Sequence, residues 1–77
     1  MNTSTINKSK NATQVWFSEY KMHVRLEDGR EIAIPLEWFP KLRDASKKEK
    51  NNWRFIGDGE GIHWNDLDED IIVEGLL

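Results

Sequence analysis

Between Tyr20 and Leu36 the chain alternates between apolar and polar positions. Tyr20, Met22, Val24 and Leu26 fall on one side; Lys21, His23 and Arg25 fall on the other. A period of two is that of a strand with one buried face. After Glu27-Asp28-Gly29 the pattern resumes in Ile32, Ile34 and Leu36, so the segment predicts a β-hairpin. Its register follows from the faces. A two-residue Asp28-Gly29 loop would oppose Val24 to Ala33 and mix apolar with polar positions. A three-residue Glu27-Asp28-Gly29 loop opposes Val24 to Ile32 and Met22 to Ile34. A slip of one residue moves an entire apolar set to the wrong side, so the longer loop is predicted. It places Gly29 at the left-handed position of a type I turn with a G1 bulge, where a side chain is poorly tolerated.

Beyond Pro35 the period lengthens. Glu37-Trp38-Phe39-Pro40-Lys41-Leu42-Arg43 predicts a short helix with Trp38 and Leu42 one turn apart, both facing the core. Pro40 fits only if it lies in the first turn. Ser46-Lys47-Lys48-Glu49 matches a capping box, predicting a second short helix to about Asn52. Trp53-Arg54-Phe55-Ile56 reads as a third strand with Trp53 and Phe55 inward. The Gly57–Gly61 run is a turn, after which Ile62-His63-Trp64 returns antiparallel. Ile71-Ile72-Val73 is a last strand or the start of a closing helix, and Leu76 and Leu77 tuck against the core. Trp16 and Trp64 lie near element ends, where an aromatic ring is often half exposed. Residues 1–14 are polar and aperiodic and predict a disordered leader, with order beginning at Val15-Trp16-Phe17. The expected fold is therefore α+β over residues 15–77. It comprises a small antiparallel sheet with an N-terminal β-hairpin, two short helices, a second hairpin and a short C-terminal strand or helix.

Size and composition narrow what holds such a fold together. With 77 residues there is room for one domain, which buries only about 60% of the surface of its unfolded chain. There are no cysteines, which excludes disulfides and thiolate metal sites. Dense aromatic packing remains, to which four Trp are suited, or association with a partner or a second copy. No segment approaches the roughly 20 apolar residues of a membrane span, and the polar N-terminus is unlike a signal peptide. A cytoplasmic protein is expected.

Charge is unevenly distributed. Residues 1–52 carry ten Lys/Arg against seven Asp/Glu, a net of +3; residues 53–77 carry one Arg against seven acids, a net of −6. The acidic end disfavours nucleic acid there and favours a basic partner.

Candidate chemistry is sparse. Gly57, Gly59 and Gly61 are interleaved with Asp58 and Glu60, whose charge repels phosphate, so a tight hairpin is the better reading. Asp66-Leu67-Asp68-Glu69-Asp70 alternates carboxylates as a calcium loop does, but Ile71 and Leu77 stand where that loop needs Gly and a bidentate Glu. His63 is the best candidate for a functional histidine. A zinc site needs three or four ligands, and only carboxylates lie near it, so a hydrogen-bonded structural role is favoured. His23 falls on the polar strand face and is expected to be exposed. Lys41, Arg43, Lys47, Lys48 and Lys50 form a basic helical patch near Trp38 and Phe39, the composition of a candidate nucleic-acid surface.

The order of motifs resembles a bacterial family. Asp28-Gly29-Arg30, Pro35-Leu36-Glu37-Trp38-Phe39-Pro40-Lys41-Leu42, Asn52-Trp53, Gly61-Ile62-His63-Trp64 and Leu67-Asp68-Glu69-Asp70-Ile71 are similar to domain-of-unknown-function family 2442, over about residues 15–77. Asn65 stands where the family pattern usually has Pro. The resemblance implies a small bacterial protein often encoded beside a partner, an arrangement like that of toxin–antitoxin pairs. It supplies no catalytic residues and no cofactor.

The expected function is a non-enzymatic protein-interaction module, antitoxin-like in its sharper form. Its partner-binding residues are expected among His63, Trp64, Asp66, Asp68, Glu69 and Asp70. The alternatives are a nucleic-acid-binding accessory using the basic helical patch, and a metal-dependent activity around His63.

Overall fold

Six strands, two short helices and two 3₁₀ turns make up the computed structural model, which describes residues 8–77. β1 (Ala12–Phe17), β2 (Lys21–Leu26) and β3 (Glu31–Pro35) form one antiparallel sheet in that order. β4 (Trp53–Ile56), β5 (Gly61–Trp64) and β6 (Glu69–Ile72) form a second. Between them run a 3₁₀ turn (Leu36–Trp38), α1 (Pro40–Arg43) and α2 (Lys47–Asn51), and a second 3₁₀ turn (Val73–Leu76) follows β6. The fold is α+β, and its strands divide into two three-stranded sheets.

The first hairpin has the register its faces demand. Val24 opposes Ile32 and Met22 opposes Ile34. The three-residue loop closes with Leu26 N–H donating to the Arg30 carbonyl at 2.8 Å, and Gly29 adopts φ +96°. The apolar face begins at Met22, because β2 starts at Lys21 and Tyr20 lies in the preceding turn, 74% exposed.

The ordered chain starts earlier than its composition suggests. Residues 1–7 of the expected leader lie outside the described residues. Residues 12–14, however, are part of β1, and Ala12 is buried. Backbone hydrogen bonds hold this segment: Ala12 N–H donates to the Gly59 carbonyl at 2.7 Å, and Glu27 N–H to the Asn11 carbonyl at 2.9 Å. Ser9 N–H donates to Asp28 Oδ2 at 2.7 Å. Backbone pairing needs no apolar periodicity, which is why the sequence pattern misses it. Gly59, at φ +98°, packs so tightly on β1 that a Cβ there would lie 2.1 Å from the Ala12 carbonyl oxygen. This contact joins the two sheets.

The core draws on both sheets and on the helices: Val15, Met22, Val24, Leu26, Ile34, Leu36, Leu42, Ile62, Trp64, Ile71 and Val73 are all buried. Two tryptophans exchange their expected places. Trp64 is fully buried, whereas Trp38 is 63% exposed. The helix predicted over 37–43 is broken at Phe39, whose N–H bonds back to Leu36, and a new turn starts with Pro40. Proline suits a first helical position, so it starts an element instead of continuing one. Trp38 and Leu42 therefore share no face. α2 has the predicted capping box, with Glu49 N–H donating to Ser46 Oγ and Ser46 N–H to Glu49 Oε1. Trp53 and Phe55 are half-buried against the core with their rings 4.8 Å apart. Leu76 packs partly on the core, and Leu77 is largely exposed.

Candidate interaction surfaces

The candidate partner-binding residues divide between the two faces of the second sheet. In β5 the alternation places Ile62 and Trp64 inward and His63 outward. Strand register sets Arg54 opposite His63 and His63 opposite Asp70, so a cation, an imidazole and a carboxylate form one row on the outer face. His63 Nδ1 is hydrogen-bonded to Asp70 Oδ1. A carboxylate only accepts, so Nδ1 is the donor. The next row on this face is Ile56, Gly61 and Ile72. Ile56 lies over Gly61, its Cδ1 3.1 Å from where a Cβ would be, while Ile72 is 57% exposed.

Trp64 does not belong to this surface. Its indole is buried, and Nε1–H donates to the Lys50 carbonyl at 2.9 Å, tying β5 to the end of α2. A buried Trp requires such an acceptor, and the last helical carbonyls are free to supply it. Glu69, opposite Trp64, shares the inward side and is half-buried. Asp66 and Asp68 lie in the β5–β6 turn, where Asn52 Nδ2 donates to Asp66 Oδ2 at 2.9 Å and Lys41 Nζ to the Asp68 carbonyl at 3.4 Å. Asp68 takes the left-handed φ of +50° that Asp tolerates better than most residues. Among the described residues no three His, Asp or Glu side chains converge as metal ligands.

The basic patch is split by its own ion pairs. Arg43 is engaged by Asp44 at 3.0 Å and by Glu37 at 3.4 Å. The Asp44 hydrogen bond, before the two Coulombic attractions, raises the Arg43 pKa, and the same bond lowers that of Asp44. Lys41 turns toward the acidic turn. Lys47 and Lys50 border a shallow depression with Phe17, Ser18, Glu19 and Asn51, and the Lys50 ammonium lies 5.9 Å from the Phe17 ring centre.

His23 is not simply exposed. Across the β1–β2 register it stacks on Trp16, with centroids 5.4 Å apart and planes at 7°, and its Nε2 is 2.8 Å from Ser18 Oγ. Arg25 lies 5.5 Å from the same indole and pairs with Glu31. This cluster satisfies itself on the outer face of the first sheet.

Sequence reasoning missed the exposed apolar residues Tyr20, Trp38 and Ile72. Pro40 was the available signal for Trp38. For Ile72 it was the run Ile71-Ile72-Val73, which cannot face inward throughout on a strand that alternates.

Among solved structures, a protein of unknown function from Rhodospirillum rubrum is similar to this chain at 29% identity, with a TM-score of 0.75 over 91% of this chain and 86% of that one. No curated protein matches. The match to the family described as "Protein of unknown function (DUF2442)" spans residues 12–77, beginning at the first residue of β1, and the chain belongs to that family.

Proposed function

We propose that this chain is a non-enzymatic protein-interaction module. The observation that carries the reading is the outer face of the second sheet, where His63 and Asp70 are fixed by a mutual hydrogen bond beside the exposed Ile72. An exposed aliphatic side chain bordered by positioned polar groups suits a protein contact, with apolar burial for affinity and polar groups for orientation. The His63–Asp70 pair has the orientation of a general base, but among the described residues no hydroxyl is hydrogen-bonded to His63, and two ligands fall short of a zinc site. The antitoxin-like role is the finer form of the proposal, and it rests on the family resemblance.

A nucleic-acid-binding accessory is the second reading, favoured by Lys47 and Lys50 sharing a depression with the Phe17 ring. The experiment is purification of the tagged chain and of an Ile72→Ser, His63→Ala variant from the native host, followed by mass spectrometry. A protein bound by the first and lost by the folded variant supports the module. Salt-sensitive nucleic acid bound equally by both favours the second reading.

A further inference from the structure

We propose that the free edge of β6, with the outer-face residues beside it, receives an extended cationic segment of a partner protein as an added strand. The inference rests on the interaction-module reading and names the chemistry of the partner.

β6 is the terminal strand of its sheet, in the order β4-β5-β6. Among the described residues, no backbone group of Glu69–Ile72 is bonded outside that sheet. An edge of this kind presents N–H and C=O groups to an incoming strand. Along β6, Asp70 and Ile72 project to the same outer face, 62% and 57% exposed. A strand added here would place one side chain beside the carboxylate and the next on that face beside the isoleucine. Opposite charges and apolar pairs both stabilise such cross-strand neighbours.

Charge selects the occupant. Residues 53–77 carry seven acids and one base, and that base, Arg54, sits on the far strand of the sheet. Asp68 precedes the strand, its carbonyl accepting from Lys41 Nζ at 3.4 Å, and Glu74 follows it, 65% exposed and paired with Lys10 at 3.5 Å. This leaves Asp70 as the carboxylate on the exposed face of the strand itself. A second copy pairing edge to edge through β6 would bring like charges together, whereas a lysine- or arginine-rich strand would bring opposite ones. Asp70 thus disfavours pairing of the edge with itself and favours a cation-bearing chain.

The test is a titration of the isotope-labelled full chain with a synthetic peptide of alternating Lys and Val, and with its Glu–Val counterpart, followed by amide shifts. The expected result is perturbation of residues 69–72 and their β5 neighbours by the Lys–Val peptide alone, weakened by salt. Ile72→Ser should weaken binding by about tenfold, and Asp70→Lys should transfer preference to the Glu–Val peptide; melting curves confirm that both variants fold. Absence of shifts at β6, equal binding of the two peptides, or a dimer joined through β6 would each overturn the inference. A native partner that survives both substitutions but is lost in Trp38→Ala also overturns it, and leaves the module reading standing.

Discussion

Trp64 Nε1 donates a hydrogen bond to the Lys50 carbonyl, 2.9 Å away, and so couples the second sheet to the end of α2. The bond gives the largest fully buried side chain its one polar partner. It also occupies a carbonyl that a helix end leaves without an intrahelical donor.

Trp64→Ala is therefore expected to unfold the domain. Removing a buried indole costs about 3–5 kcal/mol, comparable to the stability of so small a core. Trp64→Phe should be milder, losing the hydrogen bond and some packing. Denaturant unfolding distinguishes them: a near-neutral Trp64→Ala would show that the Gly-Ile-His-Trp segment is not core.

Trp38 and Leu42 should behave as opposites. Trp38→Ala leaves stability within about 0.5 kcal/mol, because the ring is mostly in solvent. Leu42→Ala, at a fully buried position, should cost about 2–5 kcal/mol. Equal effects in thermal melts would mean that the two residues share a helical face after all.

Two glycines at positive φ separate backbone strain from close packing. At Gly29 a Cβ meets nothing within 4 Å, so Gly29→Ala costs only the left-handed conformation, about 1–2 kcal/mol. Gly29→Val should cost more, since branching resists that conformation further. At Gly59 the Cβ would strike the Ala12 carbonyl, so Gly59→Ala should be the most damaging of the three and should separate β1 from the Gly57–Glu60 turn. If Gly59→Ala melts no lower than Gly29→Ala, the junction between the sheets is looser than its geometry implies.

Asp28 should contribute to the acid limb of stability. The Arg30 side chain, then the backbone N–H groups of Ser9 and Arg30, hold its carboxyl well below the usual carboxylate range. A pKa lowered on folding gives stability that is complete above the unfolded value, near about 4, and is lost as pH falls toward the folded value. The melting temperature of Asp28→Asn should accordingly fall less steeply than that of the parent between about pH 5 and about pH 2. Parallel curves would show that the contacts of Asp28 with Arg30 and Ser9 contribute nothing to folding.

Local pattern determined much of this protein. Alternation in β2 and β3 set the hairpin register, because one wrong step would bury Lys21, His23 and Arg25. Ser46 and Glu49 marked the start of α2, because capping is decided within one turn. The motif order identified the family, and the acidic end was visible as composition. Tertiary structure alone decided which tryptophan is covered, since burial at an element's end depends on what packs across it. Lys50 supplies a partner for Trp64, whereas Trp38 is left 63% exposed. It also decided that residues before Val15 form a strand, because Ala12 and Gln14 pair with Leu26 and Arg25, and Ala12 N–H bonds to Gly59, far along the chain. The row of Arg54, His63 and Asp70 likewise exists only through the pairing of three strands, a relation no single segment encodes.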